Sequence, residues 1–216
     1  MQGGYTESSL IARYISAMKN FRYLGILSII FSISLIVGSS IALAYSLSGL
    51  RWSGTSTTYR INQNVSNWGW TASIANAEYS WDNAGSMFRF YYGGITANNG
   101  GIYDGVNTVG WGLAPNNWIA ATWNWTSGST IIETDFIFNT DQYGVSGFST
   151  TGNSCCYDVE NTSAHEFGHW LKLNHSTSGC GWSWEATMCS SANRGETRKR
   201  SLETDDKNGI KAIYGT

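Results

Sequence analysis

Charge is scarce in this chain of 216 residues. Asp, Glu, Lys and Arg together make up 13 %, about half of what a soluble domain usually carries. The formal net charge of −2 excludes the basic stripe that a nucleic-acid surface needs to neutralise phosphates. The one basic run, "RGETRKR" (Arg194 to Arg200), reads as a solvated loop. Proline occurs once, at Pro115, and no stretch repeats, which excludes proline-rich linkers and repeat arrays. Cysteine is limited to four residues, and histidine to three, all within "HEFGHWLKLNH", residues 165 to 175. What is present is apolar (42 %) and aromatic (14 %), with abundant Gly, Ser, Thr and Asn. That mixture suits one extracytosolic, loop-rich or β-rich domain preceded by an export segment.

The amino-terminal segment supports export. Residues 1–22 end in a basic flank (Arg13, Lys19, Arg22) and precede an uncharged run, "YLGILSIIFSISLIVGSSIALAYSLSGL". Its dense part, Leu24 to Val37, has the length of a signal-peptide core, and "ALA" at 42–44 offers small residues for cleavage. The whole run also exceeds the roughly 20 residues that cross a bilayer. Residues 23–44 therefore fit both a signal peptide and a membrane anchor, with residues 1–22 cytoplasmic and the domain from Tyr45 to Thr216 outside. An exported domain holding Cys155, Cys156, Cys180 and Cys189 is expected to form two disulfides. A bond between the neighbours Cys155 and Cys156 is expected to be strained, so each should pair with Cys180 or Cys189, in an order the sequence leaves open. A tetrathiolate zinc site is disfavoured because "CC" lacks the usual ligand spacing.

Periodicity gives a coarse layout. Thr57 to Ile61 alternates as a strand, and Trp70 to Ala84 reads as an amphipathic helix that places Ile74, Ala77, Tyr79 and Trp81 among good helix formers. "SMFRFYYGGI" places Phe88, Phe90 and Tyr92 on one face. "TANNGGIYDGVN" is a loop by turn chemistry, and "WIAATWNW" and "TIIETDFIFN" are two more strands. A helix should run from Val159 to Leu171 or Leu173. A last helix begins near Thr204, its candidate N-cap, ahead of Asp205 and Asp206, and turns Ile210 and Ile213 inward.

The histidines fall on the helix starting at Val159. His165 and His169 are four residues apart and project from one helical face, so both imidazoles can reach a single zinc ion. Glu166 can point at a water on that ion as general base and acid. Catalytic zinc takes three protein ligands and keeps one open position, and His175 lies where a chain turning after Leu171 can return the third. A downstream carboxylate such as Glu185 is the rival third ligand. A different class of reading takes the eleven tryptophans, several in "WIAATWNW" and "GWSW", as an exported carbohydrate or cell-wall binding platform with structural zinc.

"HEFGHWLKLNH" resembles the HExxHxxGxxH signature of the metzincin clan, and specifically of the matrixin endopeptidases. "EATMCS" places Met188 thirteen residues after His175, as the clan's Met-turn would require. "TYRI" with the following helix, "IIETDFIFN", "YDVENTSAHEFGH" and "SLETDDKNGIKAIYG" are similar to further matrixin elements, so the likeness covers about residues 50–216. It implies an α+β fold: a twisted, mostly parallel five-stranded sheet, a long active-site helix, and a small carboxy-terminal subdomain with a final helix. It also implies one catalytic zinc, a protein or peptide substrate lying antiparallel to an edge strand, and Asp205 and Asp206 supporting the Met-turn and the amino terminus. Lys172 stands where the family has glycine, at a left-handed bend, and Asn174 is expected to take some of the strain. "CSSA" replaces the family's proline-and-tyrosine pocket wall. Calcium is conceivable from Asp104, Asp141 and Asp158. The expected protein is extracellular, monomeric, and in contact with membrane only through its first hydrophobic segment.

Overall fold

The computed structural model describes residues 45, 47–176, 180–181 and 185–216. The expectations for residues 1–44 and for Trp182 and Trp184 of "GWSW" lie outside these residues. Among the described residues, no helix is long and apolar enough to cross a membrane.

One mixed sheet positions everything else. Its strands are β1 (Arg51–Trp52), β2 (Ser56–Asn62), β3 (Arg89–Thr96), β4 (Thr108–Trp111), β5 (Ala120–Ser127) and β6 (Thr130–Phe138). β2 pairs in parallel with β3 and β4, and β6 pairs in parallel with β4 and β1. Only the β5–β6 hairpin is antiparallel, so β5 forms one edge. The four strands read from the sequence are all present; β4, which the sequence reading did not place, completes five, and the two-residue β1 is an addition, seated at Thr130–Ile131 of β6. Two helices, α1 (Thr71–Asp82) and α2 (Val159–Trp170), pack on each other and on the sheet. The Trp81 indole donates to Ala164 O of α2 at 2.8 Å, which fixes the two helices without leaving a buried donor unpaired.

The tryptophans and phenylalanines mostly build core. Phe167 and Trp170 of α2 meet Tyr59, Phe90 and Phe136 of the sheet with ring centroids 4.9–6.4 Å apart. Trp52, Trp70, Trp81 and Trp170 are all buried, each worth about 1.5–3 kcal/mol or more in apolar burial. A sugar-binding platform cannot use them. Phe88, just before β3, and Phe90 within it are buried as expected, but Tyr92 is half exposed because β3 is the opposite sheet edge.

β6 carries two buried acids, Glu133 and Asp135, and they organise the β3–β4 loop. Asp135 accepts from Gly101 N (2.9 Å), Ile102 N (3.3 Å) and Thr108 N (2.7 Å). Glu133 accepts from Asp104 N and Gly105 N. Backbone donors that no strand partner satisfies are thus paired to carboxylates. Burial pushes the Asp135 carboxyl up to about 7 against the pull of those N–H groups.

Three sequence expectations change. First, Cys155 bonds to Cys156, and Cys180 to Cys189 across a Cα separation of 5.6 Å. Cys180 and Cys189 lie on the segment that returns after His175 and meet each other. Cys155 and Cys156 lie in the loop before β8 (Tyr157–Asp158), which pairs with β7 (Phe148–Ser149). Second, the basic run is no solvated loop: Lys199 is 1 % exposed, Arg198 pairs with Glu185 at 2.6 Å, and Arg200 with Asp158 at 2.5 Å. Third, the closing helix α3 (Thr204–Tyr214) is capped by Glu203, one residue before Thr204. The Asp206 carboxylate reaches back to Glu203 N at 2.9 Å and so fixes the helix start there.

Replacing Asp135 by alanine strands the buried Thr108 N–H and removes the acceptor of the Gly101 and Ile102 N–H groups. The expected loss is about 2–3 kcal/mol, since one unsatisfied buried group costs about 1–3 kcal/mol and the loop relaxes partly. The urea midpoint measures it, with Asp104→Ala, whose side chain is exposed, as the smaller control.

Candidate metal centre

α2 begins cleanly: Asp158 is its N-cap, accepting from Asn161 N at 2.9 Å, with Glu160 complementing the helix dipole in the first turn. Its far end sets the site. The orphan carbonyls of the last turn are all met: Gly168 O by Leu173 N, His169 O by Lys172 N, Trp170 O by the Trp52 indole at 3.2 Å, and Leu171 O by the Tyr214 hydroxyl at 3.5 Å. The first two bonds are the paired pattern of a Schellman motif. That motif needs one left-handed residue, and Lys172 supplies it at φ 69°. Asn174 is not among the positive-φ residues, so Lys172 bears the strain alone, at about 1–2 kcal/mol.

This turn brings the third histidine back. Imidazole ring centroids lie 4.7 Å apart for His165–His169 and His169–His175, and 5.2 Å for His165–His175. The candidate ligand atoms all fall within 4.8 Å of one another. His165 Nδ1 contacts Thr187 O at 2.7 Å and His169 Nδ1 contacts Leu173 O at 2.8 Å. A carbonyl only accepts, so each Nδ1 carries the proton and each Nε2 presents a bare lone pair. His169 Nε2 and His175 Nε2 are 3.1 Å apart, close to the roughly 3.4 Å expected between two nitrogens about 2.1 Å from one tetrahedral zinc. The residues fit the ion. Burial holds the His165 imidazole well below its ordinary value and pushes His169 down to about 4, so both are neutral ligands at pH 7.

Glu166 is buried beside the triad. Its carboxylate accepts from the Thr122 hydroxyl of β5 at 2.5 Å. Burial pushes this carboxyl up to about 7, against the Thr122 bond and the positive charge of Lys199. A cation at the triad draws it back down. Below the histidines, Met188 is 2 % exposed in a turn closed by Cys189 N to Ala186 O at 3.0 Å. It packs against Gly168 so closely that a Cβ there would lie 2.1 Å from its sulfur. Glycine between the two helical histidines is therefore a packing requirement. Asp206 accepts from Thr187 N at 2.8 Å and Met188 N at 3.2 Å, tying the turn to α3. Asp205 accepts from Ser176 Oγ at 3.0 Å, directly after His175; among the described residues it holds that segment and not the amino terminus.

The triad opens on a cleft of about 780 Å³ bordered by β5, α2 and the Cys189–Ala192 wall. Residues 55–215 match the matrixin family model. The chain belongs to the matrixin family. No curated protein matches it. Matrixins are zinc metalloendopeptidases acting on proteins or peptides, and in this matrixin His165, His169 and His175 can hold the zinc. The sheet, the active-site helix and the closing helix fit the same fold. Glu185 is not a ligand: it is 3 % exposed and engaged by Arg198. Asp104, Asp141 and Asp158 do not converge; among the described residues the histidines form the one cluster of three metal-binding side chains. Calcium gains no support from them. The sequence reading missed Thr122, which no motif marks, and Lys199, which hid in a basic run.

Two outcomes are expected of the zinc-free matrixin. Lys172→Gly should raise stability by up to about 1 kcal/mol, a melting shift of about 2–4 °C, whereas Lys172→Val should lower it. The contribution of His169 to stability should also fall as pH drops. An unfolded imidazole takes a proton near 6.5, but folded His169 waits until about 4, so its contribution is lost from about 6.5 downward, while the raised Asp135 and Glu166 carboxyls act with the opposite sign. The difference in urea midpoint between wild type and His169→Gln, taken at pH 7 and pH 5, checks the sign for His169.

Proposed function

We propose that this matrixin is exported and hydrolyses peptide bonds with one zinc held by His165, His169 and His175 and with Glu166 moving the protons. The observation that carries the proposal is the convergence of bare Nε2 atoms beside a buried carboxyl on an open cleft. When bound, zinc supplies Lewis-acid activation of water and of the scissile carbonyl.

The rest falls to the chain itself. β5 pairs only with β6 among the described residues, so its other edge offers backbone groups to an extended substrate lying antiparallel to it. The Thr122 hydroxyl holds the Glu166 carboxylate toward the cleft. Glu166 takes a proton from the attacking water and delivers it to the departing amine nitrogen, a pair of transfers suited to a carboxyl near neutrality. Met188 and Asp206 keep the floor under the histidines rigid. Every one of these groups comes from one chain, so the reading needs no second copy to complete the site. Export rests on the basic flank and uncharged run of residues 1–44, as signal or anchor, and is supported by two disulfides in the catalytic domain of residues 45–216.

The test uses the oxidatively folded protein on casein, with zinc measured alongside. Glu166→Ala should keep zinc and lose about a hundred- to ten-thousandfold in turnover, since proton transfer contributes roughly 10²–10⁴. His175→Ala should lose zinc and activity together. Retained turnover in Glu166→Ala removes the proton-transfer role; retained zinc in His175→Ala removes the third ligand.

A further inference from the structure

The cleft is electrically one-sided. Apart from the histidines, its charged lining residues among those described are Glu166, Lys172 and Lys199. Once Glu166 is assigned to proton transfer, only cations remain, in a chain whose net charge is negative. The neutral lining mixes polar side chains such as Asn161, Thr162 and Ser191 with apolar ones such as Trp118, Ile119 and Ala121.

Lys199 is the unusual member. It is 1 % exposed, where an unpaired ammonium is costly. Its Nζ donates to Cys189 O and Ser191 O at 2.5 Å each, which sets the ammonium against the Cys189–Ser191 wall of the cleft. An ammonium has three donors, and among the described residues no carboxylate lies within ion-pair distance of this one. The acids that surround it are engaged elsewhere. Glu185 and Glu196 bind Arg198 at 2.6 and 3.4 Å, and Asp206 accepts from three backbone N–H groups. Glu196, Glu185 and Asp206 act on the Lys199 charge from beyond ion-pair distance, and the ammonium in turn lines the cleft beside Glu166.

We propose that this cleft selects substrates bearing a carboxylate side chain on a residue flanking the scissile bond, with Lys199 as the residue that reads it. The inference rests on the peptidase reading above and adds its substrate class. A carboxylate entering the cleft beside the Cys189–Ala192 wall offers Lys199 an ion-pair partner, where no carboxylate of the described residues stands within ion-pair distance. Its amide isostere brings none, so discrimination between Glu and Gln reports the interaction and not pocket size.

The experiment starts from casein digested by the wild-type protein, with cleavage sites mapped by mass spectrometry. Quenched peptides built on one site then carry Glu or Gln at each of the two flanking positions in turn. The expected result is a kcat/KM at least about tenfold higher for Glu than for Gln at one position. In Lys199→Met that ratio should fall to about one, with folding checked by circular dichroism and zinc content. A wild-type ratio near or below one at both positions overturns the proposal, and this comparison needs no variant should Lys199→Met fail to fold. A high ratio that persists in folded Lys199→Met overturns the assignment to Lys199. Casein left uncut overturns the peptidase reading and this inference with it; casein cut without Glu preference overturns the inference alone.

Discussion

The left-handed turn at Lys172 is the constraint on which the metal centre depends. A helix alone can present two histidines at four-residue spacing, but no continuation of it brings a third within reach. The chain must reverse, and the Schellman bonds from Lys172 N and Leu173 N make it reverse within one residue of the helix end. His175 then arrives with its Nε2 3.1 Å from that of His169. The strain of a lysine at φ 69° is offset locally, because the same turn satisfies two carbonyls that would otherwise be orphaned. The remaining two are met by Trp52 and Tyr214, so residues from both ends of the domain lock the turn.

Around that turn, charge is placed inside with unusual consistency. The domain has few ionisable groups, and many of them are buried and committed to backbone. Asp135 and Glu133 hold a loop, Asp206 holds the floor turn and the start of α3, and Asp158 caps α2 while pairing with Arg200. Low surface charge and high internal charge are two sides of one economy: loops rich in Gly and Asn need acceptors for their free N–H groups, and carboxylates supply two oxygens each. Lys199 belongs to the same class, a buried cation whose partners are carbonyls, but it alone faces the cleft without a carboxylate.

Local pattern made the elements and the ligand set legible. Four-residue spacing placed His165 and His169 on one face, the sequence pattern gave α1 and α2 to within three residues, and alternation found β2 and β3. The matrixin likeness supplied the sheet and the floor methionine. What depends on long-range proximity was not legible. The disulfide pairing failed because neighbour strain was judged without knowing which loops meet. The basic run was misread because burial of Lys199 depends on Asn161, Cys189 and Ser191, up to 38 residues away. Thr122 was invisible because its partner lies 44 residues downstream.

The sequence by itself determined the metal chemistry, because three histidines within eleven positions on a helix and its exit leave few other arrangements. Only the tertiary structure decided which residues surround that chemistry: the hydroxyl on Glu166, the sulfur under Gly168, and the ammonium in the cleft wall. The physical reason is range. Helical spacing is fixed by backbone hydrogen bonds four residues apart, whereas the protonation and field of a site depend on whatever distant groups the packed core brings within a few ångströms.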